Sequence, residues 1–416
     1  LLLSNAANPG GADPSVIRYF ENRFAHVHLV RIDGQAAALA HRVDAVERSL
    51  VVRAVEIAPL DACDFSVRGI PHRLAIYGRH HCDFERLKCD LEKICSVHAD
   101  LFDDLPLERY LFMVTAVGDG YGGLEHRDST SLMCSRKELP RRGEKSVTKD
   151  YRRFLGLCSH EYFHLWNVKR IRPQVLKLAK LDQEAHTSLL WAFEGITSYY
   201  DDLALVRSGV IEPKAYLEQL CEIVTRVMRG RGRFRQSVAE SSFDAWTRFY
   251  KQDENAPNAI VSYYAKGALI AFGLDVTLRT LGNDSVSLDD LMRKLWQEFG
   301  KPDIGVPEDG VEKAAGELVD ASLADFFTSC VHGTGELPLA EWFAAMGIGY
   351  RLRPATSLSD PGGVPDRPGE PAAEPVPVLG ARTRDNRGAA ELVTLYEEGA
   401  AQKAGLAAGD RIIAVD

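Results

Sequence analysis

Apolar and polar positions along the chain alternate between two periods, and the change of period marks out the elements. From Leu50 to Tyr77 the pattern is β-like, with Val51, Val55, Ile57, Phe65, Ile70, Leu74 and Ile76 set among polar residues. Asp83 to Phe102 reads as a helix, with Phe84, Leu87, Leu91, Ile94 and Leu101 on one face. Tyr110 to Val117 is a short continuous apolar run, as in a buried strand, and a glycine-rich stretch, Gly118 to Arg127, follows it. Tyr151 to Trp166 reads as a helix with Phe154, Leu155, Leu157, Cys158, Phe163 and Leu165 available for burial, and Pro173 lies beyond its end. His186 to Arg207 also reads as a helix, stopped by Gly209. A long apolar helix opens at Ser262 and runs through Leu281. Shorter helices fill residues 286 to 348, where Ser287 with Asp290 forms an N-terminal cap and Gly300 a stop. Proline and glycine then dominate up to Val378, which reads as a linker.

With 416 residues the chain exceeds one typical core, so two or three domains are expected. A hydrophobic fraction of 45% and a charged fraction of 26% are ordinary for globular proteins. The net charge of −9 argues against nucleic acid or an anionic membrane as partner, and no apolar stretch reaches the length of a membrane span. Leu1-Leu2-Leu3 is too short for a signal-peptide core. The eight cysteines form no CxxC pair and read as reduced thiols, which points to a cytoplasmic location. His80-His81-Cys82 has metal-binding composition but no partner cluster, and reads as a loop.

The chemistry concentrates in His160-Glu161-Tyr162-Phe163-His164. Two histidines four apart on a helix project from one face and can share a metal ion, while Glu161 stands beside them as a general base for water. Glu194, amid Trp191, Phe193 and Tyr199, is costly in an apolar helix unless paired or metal-bound, and supplies a third, oxygen ligand. Two histidines and a glutamate leave a zinc ion one open position, as in catalytic sites. Gly195 next to it weakens a helix by roughly 1 kcal/mol relative to alanine, which suggests that another element approaches closely there. In the glycine-rich segment, Gly122 and Gly123 allow an extended peptide near the backbone, and Glu125 can grip a free α-ammonium group by a charge-assisted hydrogen bond. His126 reads as a structural histidine. Tyr264, with Tyr263 as the alternative, offers a hydroxyl to share oxyanion charge.

The string Leu157 to Pro173, through His160-Glu161-Tyr162-Phe163-His164-Leu165-Trp166-Asn167-Val168-Lys169-Arg170-Ile171-Arg172, resembles the signature of the PDZ-containing glycyl aminopeptidases. These are gluzincin zinc peptidases, distantly similar to the aminopeptidase N and leukotriene hydrolase family. The resemblance runs from about Leu50 to the end of the chain. It implies a multidomain α+β protein with a thermolysin-like catalytic domain, His160, His164 and Glu194 as ligands of one Zn2+, and Glu161 as the base. Gly122, Gly123 and Glu125 match places in the Gly-x-Met-Glu-Asn exopeptidase motif, and Tyr264 matches the catalytic tyrosine of a Tyr-x-Lys-Gly string. Many gluzincins carry an acidic residue four positions after the third ligand; here that position is Ser198, so support for the ligands must come from elsewhere. The implied substrates are peptides with a free N-terminus, glycine first and alanine next.

The expected organisation is a partial or divergent N-terminal β region at 1–77, the catalytic domain at 78–350, a linker at 351–376, and the first half of a PDZ domain at 377–416. In the last, Leu379-Gly380-Ala381 matches a carboxylate-binding loop, with a peptide ligand implied for the full-length protein. Two other readings compete with a zinc aminopeptidase. One is an endopeptidase with the same chemistry, and the other a peptide-binding adaptor with a vestigial metal site.

Overall fold

The computed structural model describes residues 21–22, 25–26, 60–180, 182–355, 360–363 and 377–414. The expected β pattern before residue 60 and most of the expected linker lie outside the described residues.

A five-stranded mixed sheet is built from β1 (Asp61–Val67), β2 (Ile70–Tyr77), β3 (Tyr110–Val117), β4 (Gly122–Glu125) and β5 (Ser129–Ser135). Its order is β1-β2-β3-β5-β4; the two central pairings, β2 with β3 and β3 with β5, are parallel, and the outer two antiparallel. β3 is the central strand and almost wholly buried, as its unbroken apolar run requires. The glycine-rich segment therefore forms a strand of its own, β4, at the edge of the sheet. α1 (Phe84–Phe102) packs against the sheet; the Asp83 side chain accepts from the Arg86 amide at its start, and Asp103 closes it in the left-handed region (φ 46).

The helical half begins with α2 (Lys149–Phe163), capped by the Thr148 hydroxyl, which accepts from the Tyr151 amide at 3.1 Å. The helix ends three residues before the expected Trp166. His164 is its last cap residue, and the chain turns there because the Ile171 amide bonds back to the Trp166 carbonyl at 2.8 Å. The expected helix from His186 starts later, at a single π-helical turn, Trp191–Gly195, that runs into α3 (Ile196–Arg207). Residues 187 and 188 stay out of it because Glu308 draws them away. Its carboxylate accepts from the Thr187 hydroxyl at 2.6 Å and the Ser188 amide at 2.9 Å. Gly209 follows with φ +71, the conformation that ends a helix.

α4 (Pro213–Arg229) is amphipathic, whereas α5 (Ala265–Leu281) is mostly apolar and central: thirteen of its 17 residues are buried, Lys266 and Asp275 among them. α6 (Leu288–Leu295) starts with the expected capping box of Ser287 and Asp290. Residues 377–414 form a small unit. It has an antiparallel sheet of β6 (Ala381–Asn386), β7 (Ala389–Leu395) and β8 (Arg411–Ile412), around a core of Ala381, Leu392 and Ala401. It docks on the helical half through two ion pairs, Arg231 with Glu398 and Arg235 with Glu397, the second at 2.7 Å. Asn258 adds two hydrogen bonds, to the Leu395 carbonyl at 2.7 Å and from the Glu397 amide at 2.9 Å. All eight cysteines are free thiols, and no helix among the described residues is long and apolar enough to cross a membrane.

Candidate metal centre and peptide cleft

A cleft of about 1460 Å³ runs between edge strand β4 and the helices. It gathers Gly122, Gly123, Glu125, His160, Glu161, His164, Glu194 and Tyr264. Leu379, Gly380 and Ala381 lie apart, in the small C-terminal unit. There the Leu379 and Gly380 carbonyls accept from the Ala401 and Tyr396 amides.

His160 and His164 stand one turn apart at the end of α2, with ring centroids 4.6 Å apart. Their Nε2 atoms each lie 3.3 Å from Glu194 Oε2. The other nitrogen of each ring is already held: His160 Nδ1 is 2.9 Å from Asp201 Oδ2, and His164 Nδ1 is 2.7 Å from the Asn167 carbonyl. With those Nδ1–H groups donating, neutral imidazoles turn two lone pairs toward the Glu194 carboxylate, whose buried Oε2 makes no hydrogen bond among the described residues. Three electron-pair donors converging on one buried point repel one another unless a cation joins them, and ligand atoms of these three residues lie within 4.8 Å of one another. The donor set therefore fits zinc. Burial pulls both imidazoles down, but the facing carboxylates outweigh it and raise their pKa values, that of His160 strongly, so proton and metal compete for one site.

Glu194 reaches this point from inside the π-turn, a rare feature that clusters at functional sites. The close approach suggested by Gly195 is present. A Cβ there would lie 2.6 Å from Gly267 Cα, so the helix carrying Glu194 crosses α5 backbone to backbone. Asn167 ties the two ligand-bearing segments together; its amide donates to the Ala192 and Phe193 carbonyls at 3.2 Å while its own carbonyl holds His164.

Glu161 is buried, its Oε2 has no hydrogen-bond partner among the described residues, and burial lifts its carboxyl up to about 7, near the working range of a general base. Gly123 abuts it directly: a Cβ on Gly123 would fall 2.6 Å from Glu161 Cγ and closer still to its carboxylate. The glycine thus makes room for the Glu161 side chain. Glu125 Oε1 is 3.0 Å from Lys169 Nζ, and carboxylate oxygens of Glu125 and Glu161 and a His164 nitrogen fall within 4.8 Å of one another. Between Asn167 and Lys169 the β-branched Val168 holds φ 142, a strained conformation of the kind that persists where surrounding contacts fix it.

Of the two candidate tyrosines, Tyr264 lines the cleft, its ring stacked 6.3 Å from that of His160, while Tyr263 is buried. Tyr250 joins both: its hydroxyl is 3.1 Å from that of Tyr264 and 3.2 Å from that of Tyr263. His126 bonds the Leu124 carbonyl at 3.1 Å, as a structural histidine would.

Sequence reasoning missed Asp201, Asn167, Lys169 and Tyr250. Asp201 was findable, because it lies seven residues after Glu194, two helical turns on the same face. It does the supporting work that Ser198 cannot. Lys169 and Tyr250 act across elements and left no local signal.

Comparison with family models matches residues 153–270 to the M61 glycyl aminopeptidase family. Comparison with curated proteins gave no match. Among solved structures, an aminopeptidase N family protein from Idiomarina loihiensis superposes with a TM-score of 0.81 at 41% identity, over 86% of this chain and 60% of that one. Aminopeptidase A of Legionella pneumophila, in complex with aspartic acid, gives 0.44 at 15% identity, over 66% of this chain and 28% of that one. An M1 zinc metallopeptidase from Deinococcus radiodurans gives 0.45 at 14% identity, over 68% and 54%. Neither of these two carries weight here. The chain spans 60% of the length of the Idiomarina protein. Residues 153–270, which carry His160, Glu161, His164, Glu194 and Tyr264, are thus the stretch in which this chain is similar to the M61 glycyl aminopeptidase family.

Proposed function

We propose that the protein is a zinc-dependent aminopeptidase that removes the N-terminal residue of peptides, glycine in preference and then alanine. The observation that carries this reading is a carboxylate, Glu125, on the edge strand beside the base Glu161 and the ligand His164. A cation-binding group that close to the reacting centre makes the enzyme count from the N-terminus.

His160, His164 and Glu194 would hold the zinc. When bound, zinc supplies Lewis-acid chemistry, polarising a carbonyl and making water acidic enough to lose a proton near neutral pH. The chain's own groups do the rest. The edge of β4 and Glu125 align the peptide and its ammonium group. Glu161 takes the proton from the attacking water and passes it to the leaving amine. The Tyr264 hydroxyl, steadied by Tyr250, donates to the oxygen that gains charge. Asp201 and the Asn167 carbonyl keep each imidazole in the tautomer that presents Nε2. We read residues 377–416 as part of a PDZ domain.

Hydrolysis of glycine p-nitroanilide beside its N-acetylated form, on protein of known zinc content with and without chelator, tests the reading. Chelator-sensitive release from the free amine alone supports it. A second reading, an endopeptidase, is favoured by one observation: Lys169 already neutralises Glu125 at 3.0 Å. Cleavage of the blocked substrate would establish that reading instead.

A further inference from the structure

Glu125, Glu161, Glu194 and Asp201 crowd the metal end of the cleft, and four cations, Lys149, Arg152, Arg153 and Arg226, line the rest together with Asp150, Asp202 and Glu222. Three of the four are committed. Lys149 faces Glu222 at 3.9 Å. Arg152 donates to the Ala215 carbonyl at 2.9 Å and lies 3.5 Å from Glu218. Arg153 pairs with Glu138 and stacks 3.8 Å over the Tyr121 ring. Arg226, on α4, makes no hydrogen bond or ion pair with any described residue, although Glu222 sits one turn below it on the same helix.

Arg226 also occupies a junction. A second cavity of about 550 Å³ lies in the seam between the helical half and the C-terminal unit, walled by Val227, Ile260, Val261, Pro361 and Tyr396. It shares Glu222, Arg226, Phe249, Gln252, Ser262 and Ala265 with the main cleft, so Arg226 borders both spaces. Two other arginines line this cavity, but Arg229 donates to the Asp360 carbonyl and Arg233 pairs with Glu336 at 2.8 Å. That leaves the Arg226 guanidinium for a carboxylate whose neighbouring side chain seeks cover, since its planar fork binds carboxylates in a bidentate manner.

We propose that Arg226 receives the C-terminal carboxylate of short free peptides, with the last side chain in the seam cavity under Tyr396. The substrate class is then oligopeptides free at both ends, and Arg226 is a specificity-determining residue. This inference rests on the aminopeptidase reading above. A zwitterionic peptide would then span the cleft, its ammonium group at the metal end and its carboxylate at Arg226. Tyr396 also makes the C-terminal unit one wall of the substrate space.

The test compares glycyl peptides of two to six residues, as free acids and as C-terminal amides. The enzymes are wild type, Arg226→Ala, Arg226→Lys and Tyr396→Ala, each checked by thermal melting. The wild type should favour the acid over the amide by about tenfold in kcat/KM at one or two lengths, the size of a charge-assisted hydrogen bond. Arg226→Ala should erase that ratio through KM, Arg226→Lys should restore part of it, and Tyr396→Ala should weaken the preference for an apolar last residue. Equal rates on acids and amides at every length, or a ratio that survives in Arg226→Ala, would overturn the proposal. Cleavage of N-blocked peptides with none of free-amine ones would instead remove the reading beneath it, and the proposal with it.

Discussion

Gly123→Ala is the sharpest probe of the cleft. The added methyl would lie 2.6 Å from Glu161 Cγ and nearer still to the carboxylate, against an ordinary carbon–carbon contact of about 3.7 Å. Backbone strain does not enter, since Gly123 is not in the left-handed region. The base must therefore retreat by about 1 Å, or β4 must move away from it. A displacement of that size at a reacting group costs roughly 100-fold in rate, or about 2.7 kcal/mol of barrier. Crowding of a packed site costs a further 1–3 kcal/mol or so of stability. Gly122 is the control within the same strand, because a Cβ there meets nothing within 4 Å. The assay is kcat/KM on glycine p-nitroanilide, with zinc content and melting temperature measured on the same preparations. Gly123→Ala should keep its zinc and lose about 100-fold in kcat, while Gly122→Ala stays within a few-fold of wild type. Near-full activity in Gly123→Ala with zinc bound would refute the argument that this glycine makes room for the base.

Three further outcomes are expected. Asp201→Asn should lower zinc affinity by about 10- to 100-fold, read by chelator competition, because His160 loses the carboxylate 2.9 Å away that fixes its tautomer; unchanged affinity would sink that role. Gly195→Ala should destabilise the fold by about 1–3 kcal/mol in urea unfolding, since its Cβ meets the Gly267 backbone rather than a yielding side chain; an unshifted midpoint would mean the two helices can part freely. His98, buried and bonded to Ser159 Oγ at 2.8 Å, is pushed by burial from 6.5 to about 3. Its folded-state value lies below its unfolded one, so its contribution is complete above pH 6.5 and is lost as pH falls toward 3. Between pH 7 and pH 5 that amounts to about 2 kcal/mol, and His98→Gln should show a correspondingly flatter loss of stability; parallel curves would contradict it.

Much of this arrangement was legible because it is written at short range. The spacing of His160 and His164 needs only the helical period. Glu194 stands out by its apolar neighbours, and Gly195 by being a poor choice mid-helix without a reason. The strand at Tyr110, the capping box at Ser287 and the stop at Gly209 were read for the same cause, a local pattern with one physical meaning. What was misjudged depends on distant partners. The start of the Glu194 helix was placed too early because Glu308, more than a hundred residues on, holds Thr187 and Ser188. At Gly123 the sequence shows only room for a peptide, and its tightest neighbour, Glu161, emerges only in the fold. Lys169 on Glu125 and Tyr250 on Tyr264 follow no sequence spacing at all.

The π-helical turn at Trp191–Gly195 has a mechanical meaning. It stores one surplus residue in a single loop of helix, so Glu194 rides on the bulge while Asp201 rides on the regular coil behind it. Removing one residue from the bulge would let it relax into ordinary helix and swing the segment ahead of it by about 100°. The bulge thus acts as an adjustable joint. Drift in the incoming chain can be absorbed there without turning the aspartate that steadies the opposite histidine, and ligand and support can be tuned separately.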